Sequence, residues 1–127
     1  MAASSQGSQT LNVPIQAVIN LLRDPNFHAN FKFTYKGEYF GGYYSTFTYS
    51  HGVTFTSWGE TVTVTVSVPP SNMVQIDIRS ECSMPTQIID WGKNKENVDN
   101  IFKFIYANIG FYINALGAFP PPSQPQG

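Results

Sequence analysis

Charge is scarce in this sequence. Lys, Arg, Asp and Glu supply only 12% of residues and balance to a net charge of −1, about half the usual charged share. Seven scattered basic residues cannot form the electropositive stripe that phosphate tracking requires, so nucleic acid is not an expected partner. Cysteine is represented by Cys82 alone, which excludes an intrachain disulfide, a thiolate metal cluster and a CxxC redox pair. The two histidines, His28 and His51, lack a second ligand at metal-binding spacing, and no metal is expected. No cofactor is expected either. Gly92-Lys93 lacks the earlier glycine and the following Ser or Thr of a phosphate loop, and no G-x-S-x-G nucleophile elbow occurs. No apolar run approaches the roughly 20 residues of a membrane span, and no basic-then-apolar stretch opens the chain. A soluble, cytoplasmic protein is the expectation.

What the sequence does hold is apolar and aromatic: 42% hydrophobic residues, with ten Phe, seven Tyr and two Trp among 127 residues. That length supports one ordinary core and leaves no room for a second domain. The stretches 1–9 (Ala, Ser, Gln, Gly) and 119–127 (Pro, Gln, Ser, Gly) carry too little apolar surface to offset chain entropy and are expected as mobile tails around one domain over 10–118.

Hydrophobic periodicity orders the interior. Pro14 suits a first helical position, and Ile15, Val18, Ile19 and Leu22 follow at helical spacing, predicting a helix over 14–24 that Asp24-Pro25 stops. Phe31 to Tyr35 alternates aromatic and polar residues as a half-buried strand, Gly37 offers a turn, and Gly41-Gly42 suggests a bulge or sharp bend in the aromatic run 39–49. Ser50-His51-Gly52 reads as a turn with an exposed imidazole. Val53 and Phe55 differ in parity from Val62, Val64, Val66 and Val68, so the inward face must switch around Trp58-Gly59-Glu60. Thr61 to Val68 is the clearest strand, and Val74, Ile76 and Ile78 form its hairpin partner. Val98, Ile101, Phe102, Ile105, Ile109, Tyr112, Ile113 and Leu116 then mark an amphipathic helix over 94–116, with Asn94 as N-cap and Glu96 in the first turn. The fold class that follows is α+β: an antiparallel sheet of four to five strands, a short N-terminal helix, and a long C-terminal helix packed on one face.

Chemistry-bearing groups are few. No spacing singles out a pair among Glu38, Glu60, Asp77, Glu81 and Asp90, and surface ion pairs account for Asp77 with Arg79 and for Asp90 with Lys93 or Lys95. Cys82, just past a strand, reads as a small buried apolar residue. The aromatics fill a core or, as the alternative, enclose a cavity for an apolar ligand; the Tyr-rich strands would equally suit a dimer interface.

Two segments are distinctive: Gly52-Val53-Thr54-Phe55-Thr56-Ser57-Trp58-Gly59-Glu60 and Pro85-Thr86-Gln87-Ile88-Ile89-Asp90-Trp91-Gly92-Lys93-Asn94. Together they resemble a family of small uncharacterised bacterial domains with a Ser-Trp-Gly-Glu turn before a valine-rich strand and a Pro-Thr-Gln, Asp-Trp-Gly-Lys-Asn loop before the closing helix. More loosely, the element order is similar to Bet v 1/START-like helix-grip proteins and to the TATA-binding-protein-like fold. The motifs have two readings: structurally, Trp58 and Trp91 pack at turns that Gly59 and Gly92 permit while Thr86, Gln87, Asp90 and Asn94 bond loop backbone; functionally, both motifs line one surface, with Trp58, Glu60, Thr86, Gln87, Asp90, Trp91, Lys93 and Asn94 as candidate binding residues. The expected function is a non-enzymatic binding or interaction module for a hydrophobic small molecule or a partner protein. The alternative is a small enzyme using Glu60, Asp90 and Lys93 near the two tryptophans.

Overall fold

The computed structural model describes residues 2–52, 59–69, 73–84 and 92–117. Eight elements follow in chain order: β1 (Ser4–Leu11), α1 (Ile15–Arg23), α2 (Pro25–Phe31), β2 (Thr34–Phe40), β3 (Tyr44–His51), β4 (Glu60–Ser67), β5 (Val74–Cys82) and α3 (Lys93–Gly117). The strands form one open sheet in the order β1-β5-β4-β3-β2, every neighbouring pair antiparallel. The α+β class holds, with the long helix laid on β1 and β5 and α1 beside it.

Strict alternation produces the centre of the sheet. Val62, Val64 and Val66 of β4 and Val74, Ile76 and Ile78 of β5 point to the helices and are buried, while Thr and charged residues fill the alternate positions. Against this ladder α3 sets Val98, Ile101, Phe102, Ile105, Ile109 and Tyr112, in a single core cluster with Ala17, Val18, Leu21 and Leu22 of α1. No helix among the described residues is long and apolar enough to cross a membrane.

Several expectations need correction. The segment expected as a mobile tail over 1–9 is, from Ser4 on, an edge strand paired with β5 without a break in register. Side-chain composition missed it because the gain lies in backbone pairing and in Gly7. A methyl group there would stand 2.9 Å from Val98 Cγ1 and 3.0 Å from Phe102 Cε2, so only glycine lets α3 settle this closely on β1. Gly7→Val is accordingly expected to destabilise by about 1–3 kcal/mol through overpacking, read from urea unfolding.

The expected strand start at Phe31 is instead the end of a second helix. Asp24 accepts a hydrogen bond from the Asn26 amide at 2.8 Å as N-cap, Pro25 takes the first turn, and Lys32 closes the helix at φ 57. Pro14 is the N-cap residue of α1 and not its first helical residue. Gly37 holds a bulge inside β2, at φ +127, and Gly41-Gly42 lies in the β2–β3 connection, where the Gly41 amide donates to the Tyr44 carbonyl at 2.8 Å. The bulge reverses parity: Tyr35 pairs with Tyr49, but beyond it Glu38 pairs with Phe47 and Phe40 with Ser45, so Tyr39 faces away from the helices.

Asn94 is no N-cap; it lies within the first turn of α3, fully buried. The 119–127 segment and the proposed parity switch at Val53 and Phe55 lie outside the described residues.

An aromatic cluster joins the small helices to the sheet. Phe27 sits at its centre, with ring centroids 5.2–5.8 Å from His28, Phe31, Phe33, Tyr49 and Phe104. The Leu22 carbonyl at the end of α1 accepts from the Tyr49 hydroxyl at 2.7 Å and from His28 Nε2 at 2.8 Å. His28 therefore meets the end of α1, as a helix C-terminus favours. Desolvation, reinforced by Tyr35 and Glu38, raises the Tyr49 phenol far above its ordinary range.

Candidate functional site

Sequence reasoning directs attention to the end of the sheet where β3 meets β4 and β5 leads to α3. There the valine ladder gives way to polar residues without changing face. Glu60 pairs across the sheet with His51 on one side and Cys82 on the other, and Ser80 pairs with Val62. All four of His51, Glu60, Ser80 and Cys82 face the helices, and Asn94 and Asn97, three residues apart on α3, descend on them.

The resulting network is continuous. His51 Nδ1 lies 3.1 Å from Glu60 Oε1, and the same oxygen accepts from Asn97 Nδ2 at 3.0 Å. Asn97 Nδ2 also donates to Ser80 Oγ at 3.0 Å, Ser80 Oγ donates to Asn94 Oδ1 at 2.8 Å, and Asn94 Nδ2 donates to the Ala3 carbonyl at 3.0 Å and approaches Cys82 Sγ at 3.5 Å. Glu60 is 2% exposed, Ser80 and Asn94 not at all. One chain of hydrogen bonds thus joins β3, β4, β5, the residue before β1, and the first turn of α3.

Electrostatics keep Glu60 ionised despite burial. Desolvation is the largest single influence and works to raise its pKa. Hydrogen bonds from His51 and Asn97, with the charges of His51 and Lys93, together outweigh it and hold the carboxyl below its ordinary value. An ionised carboxylate only accepts, so His51 donates from Nδ1. A carboxylate-oriented imidazole of this kind can relay protons. The hydroxyl and thiol beside it, Ser80 and Cys82, are both buried and cannot meet a substrate from solvent. Among the described residues no group of three His, Cys, Asp or Glu side chains could hold a metal ion.

Of the eight sequence-derived site residues, Glu60 and Asn94 join one network and exposed Lys93 adds its field. Trp58, Thr86, Gln87, Asp90 and Trp91 lie outside the described residues. His51, expected as an ordinary turn imidazole, is the last residue of β3 and is 30% exposed at its side chain. The predicted Asp77–Arg79 pairing is replaced by Arg79–Glu81 at 3.6 Å.

A second feature lies at the opposite end of the sheet. The β2–β3 hairpin projects Tyr39, Phe40 and Tyr43 into solvent, at 64%, 72% and 92% exposure. Beside Phe40 and Tyr43 runs an open groove of ≈ 380 Å³ between the hairpin end, the start of α1 and the end of β4. Ile15, Ile19, Phe40, Tyr43, Tyr44 and Val68 supply most of its wall, and no charged residue lines it. Tyr39 and Tyr43 are expected from the sequence as core, cavity lining or a dimer interface; the glycines at 37 and 41–42 carry them past the rim of the core.

No protein-family model matches the chain, and neither does any curated protein. A solved structure to which it is similar is the solution structure of ChR145 from Cytophaga hutchinsonii, at 14% identity and a TM-score of 0.47, covering 90% of this chain and 96% of that one.

Proposed function

We propose that this domain is a non-enzymatic interaction module whose working surface is the aromatic groove at the β2–β3 hairpin end, and that its partner is an apolar, uncharged peptide segment. The carrying observation is that exposed Phe40 and Tyr43 stand beside Ile15, Ile19 and Val68 in one groove. Soluble chains seldom leave contiguous apolar surface uncovered unless it is used, and aromatics at low entropy cost are the usual anchors of contact surfaces. The groove's lack of charge favours a partner without charge, since a buried unpaired charge would cost several kcal/mol.

The Glu60 network has a different role in this reading. Glu60, Ser80, Asn94 and Asn97 hold the first turn of α3 on the sheet, and their polar atoms serve one another. The enzymatic alternative asks the same carboxylate to act on a substrate, yet its Oε1 already accepts from two side chains. For that reason the interaction reading is preferred.

Selection of a displayed random peptide library on the full chain tests the proposal. Enriched peptides are expected to be apolar and to bind a Phe40→Ser/Tyr43→Ser variant at least about 30-fold more weakly, the loss of about 2 kcal/mol typical of an anchor residue. The variant's melting temperature should match the parent's, since both side chains are exposed. Recovery of no peptide, or of peptides that bind both proteins alike, would refute it. A preference for fatty acids over every peptide would replace the partner class by a lipid.

A further inference from the structure

The two edges of the sheet are built differently. β2 carries Lys36 and Glu38, and the Gly37 bulge breaks its register. Charge and bulges are the devices by which edge strands resist pairing with other chains. β1 has none of them. Its sequence Ser-Ser-Gln-Gly-Ser-Gln-Thr-Leu holds no charge and no proline, and it pairs with β5 in unbroken register from Ser4 to Leu11.

The free side of that edge is fixed by the ladder on the other side. The Cys82 amide donates to the Ala3 carbonyl at 2.9 Å, which makes Ala3 and Cys82 a hydrogen-bonded pair. Such pairs recur at every second residue of an antiparallel ladder, so Ser5, Gly7, Gln9 and Leu11 bond to β5. Ser4, Gln6, Ser8 and Thr10 direct their backbone N–H and C=O groups outward.

We propose that β1 pairs antiparallel with β1 of a second copy, about a two-fold axis at Gly7, joining two five-stranded sheets into one. This register sets Gln6 against Ser8 and Ser4 against Thr10 of the other copy. It uses every outward group of the strand, about eight backbone hydrogen bonds. A second copy fits better than an unrelated strand because the pattern is its own complement: donors, acceptors and neutral side chains match on rotation, as a two-fold interface requires. The axis falls where β1 has no side chain. Gly7 faces the helices, so the two strands meet there without a steric obstacle beneath α3. The α3 surface flanking the edge is self-compatible too: Lys95 and Asp99 already form an ion pair, and Tyr106, half exposed, donates to Gln9 Oε1 at 2.7 Å.

Sedimentation velocity of the full chain provides the test, and the ladder supplies its variants. Ser8→Pro removes an outward N–H that β5 does not use, a position where an edge strand tolerates proline. Gln6→Lys leaves the backbone alone and adds the charge that protective edges carry. The parent chain is expected to sediment as a dimer. Ser8→Pro should shift the dimer–monomer equilibrium at least about 30-fold towards monomer, equivalent to two lost hydrogen bonds across the symmetric interface, and Gln6→Lys should shift it in the same direction. The melting temperature extrapolated to low concentration, where all three proteins are monomers, should stay the same. A parent that remains monomeric at its highest soluble concentration overturns the proposal, as does a dimer that Gln6→Lys leaves intact. Neither result bears on the hairpin groove, which lies at the other edge.

Discussion

Phe27→Ala is expected to lower the free energy of unfolding by about 3–5 kcal/mol, read from urea denaturation, one of the two largest effects available in this molecule. The ring is fully buried and its neighbours come from four separate elements: α2 itself, the entry to β2, β3 and α3. Truncation leaves a cavity among rings held by different parts of the fold, which cannot collapse together without moving α2 off the sheet. Edge-to-face contacts with Phe31, Phe33 and Tyr49 are lost in addition, each worth somewhat more than its buried area. Phe27→Leu, which keeps most of the volume, should recover part of the loss. A loss below about 1 kcal/mol for the alanine variant would show that the cluster does not hold the small helices in place.

Glu60→Ala is expected to cost about 3 kcal/mol at neutral pH, since removing one member of a buried, hydrogen-bonded charge group leaves the remaining donors without their acceptor. Asn97 and His51 both lose a bond, and the first turn of α3 loses its tie to β4. The effect carries a pH signature. Because the folded carboxyl titrates below its ordinary value, its stabilising contribution is complete above the unfolded pKa of about 4.3 and is lost as pH falls through the folded pKa. The stability gap between parent and Glu60→Gln should therefore be widest above about pH 5 and narrow as the solution is acidified below 4. A gap independent of pH would mean that Glu60 is not held as the anion.

Much of the architecture is legible from periodicity because its burial is one-sided. Alternation in Thr61–Val68 and Val74–Ile78 and the apolar stripe of α3 record a sheet covered on one face, and these elements fall within a few residues of their expected bounds. β1 is hard to read on the same criterion: of its inward positions Ser5, Gly7, Gln9 and Leu11 only the last is apolar, and what holds the rest is backbone pairing and the closeness that Gly7 permits. α2 hides in a run of aromatics that also suits a strand. Its signal was the Asp24-Pro25 pair, an N-cap followed by the residue favoured at the first helical position, read instead only as the stop of α1.

The buried network had a sequence signal that was read as surface chemistry. Glu60 continues the parity of Val62, Val64 and Val66, Ser80 and Cys82 continue that of Val74, Ile76 and Ile78, and Asn97 and Asn94 extend the stripe of Ile101 and Ile105 by two turns towards the start of α3. A polar residue on the inward parity of a buried ladder requires a partner. Here the partners are one another. Tyr39 shows the reverse error, because simple alternation from Tyr35 puts it inside and the bulge at Gly37 turns it out.

The division of labour between the two ends of the sheet is best examined by measuring stability and peptide binding in parallel for two variants. Glu60→Gln should unfold more easily than the parent while binding a groove-selected peptide with unchanged affinity. Phe40→Ser/Tyr43→Ser should melt with the parent and lose the peptide. The opposite pattern, with binding abolished by Glu60→Gln in a folded protein and untouched by removal of the two aromatics, would contradict the account and place the working surface among the polar residues beneath α3.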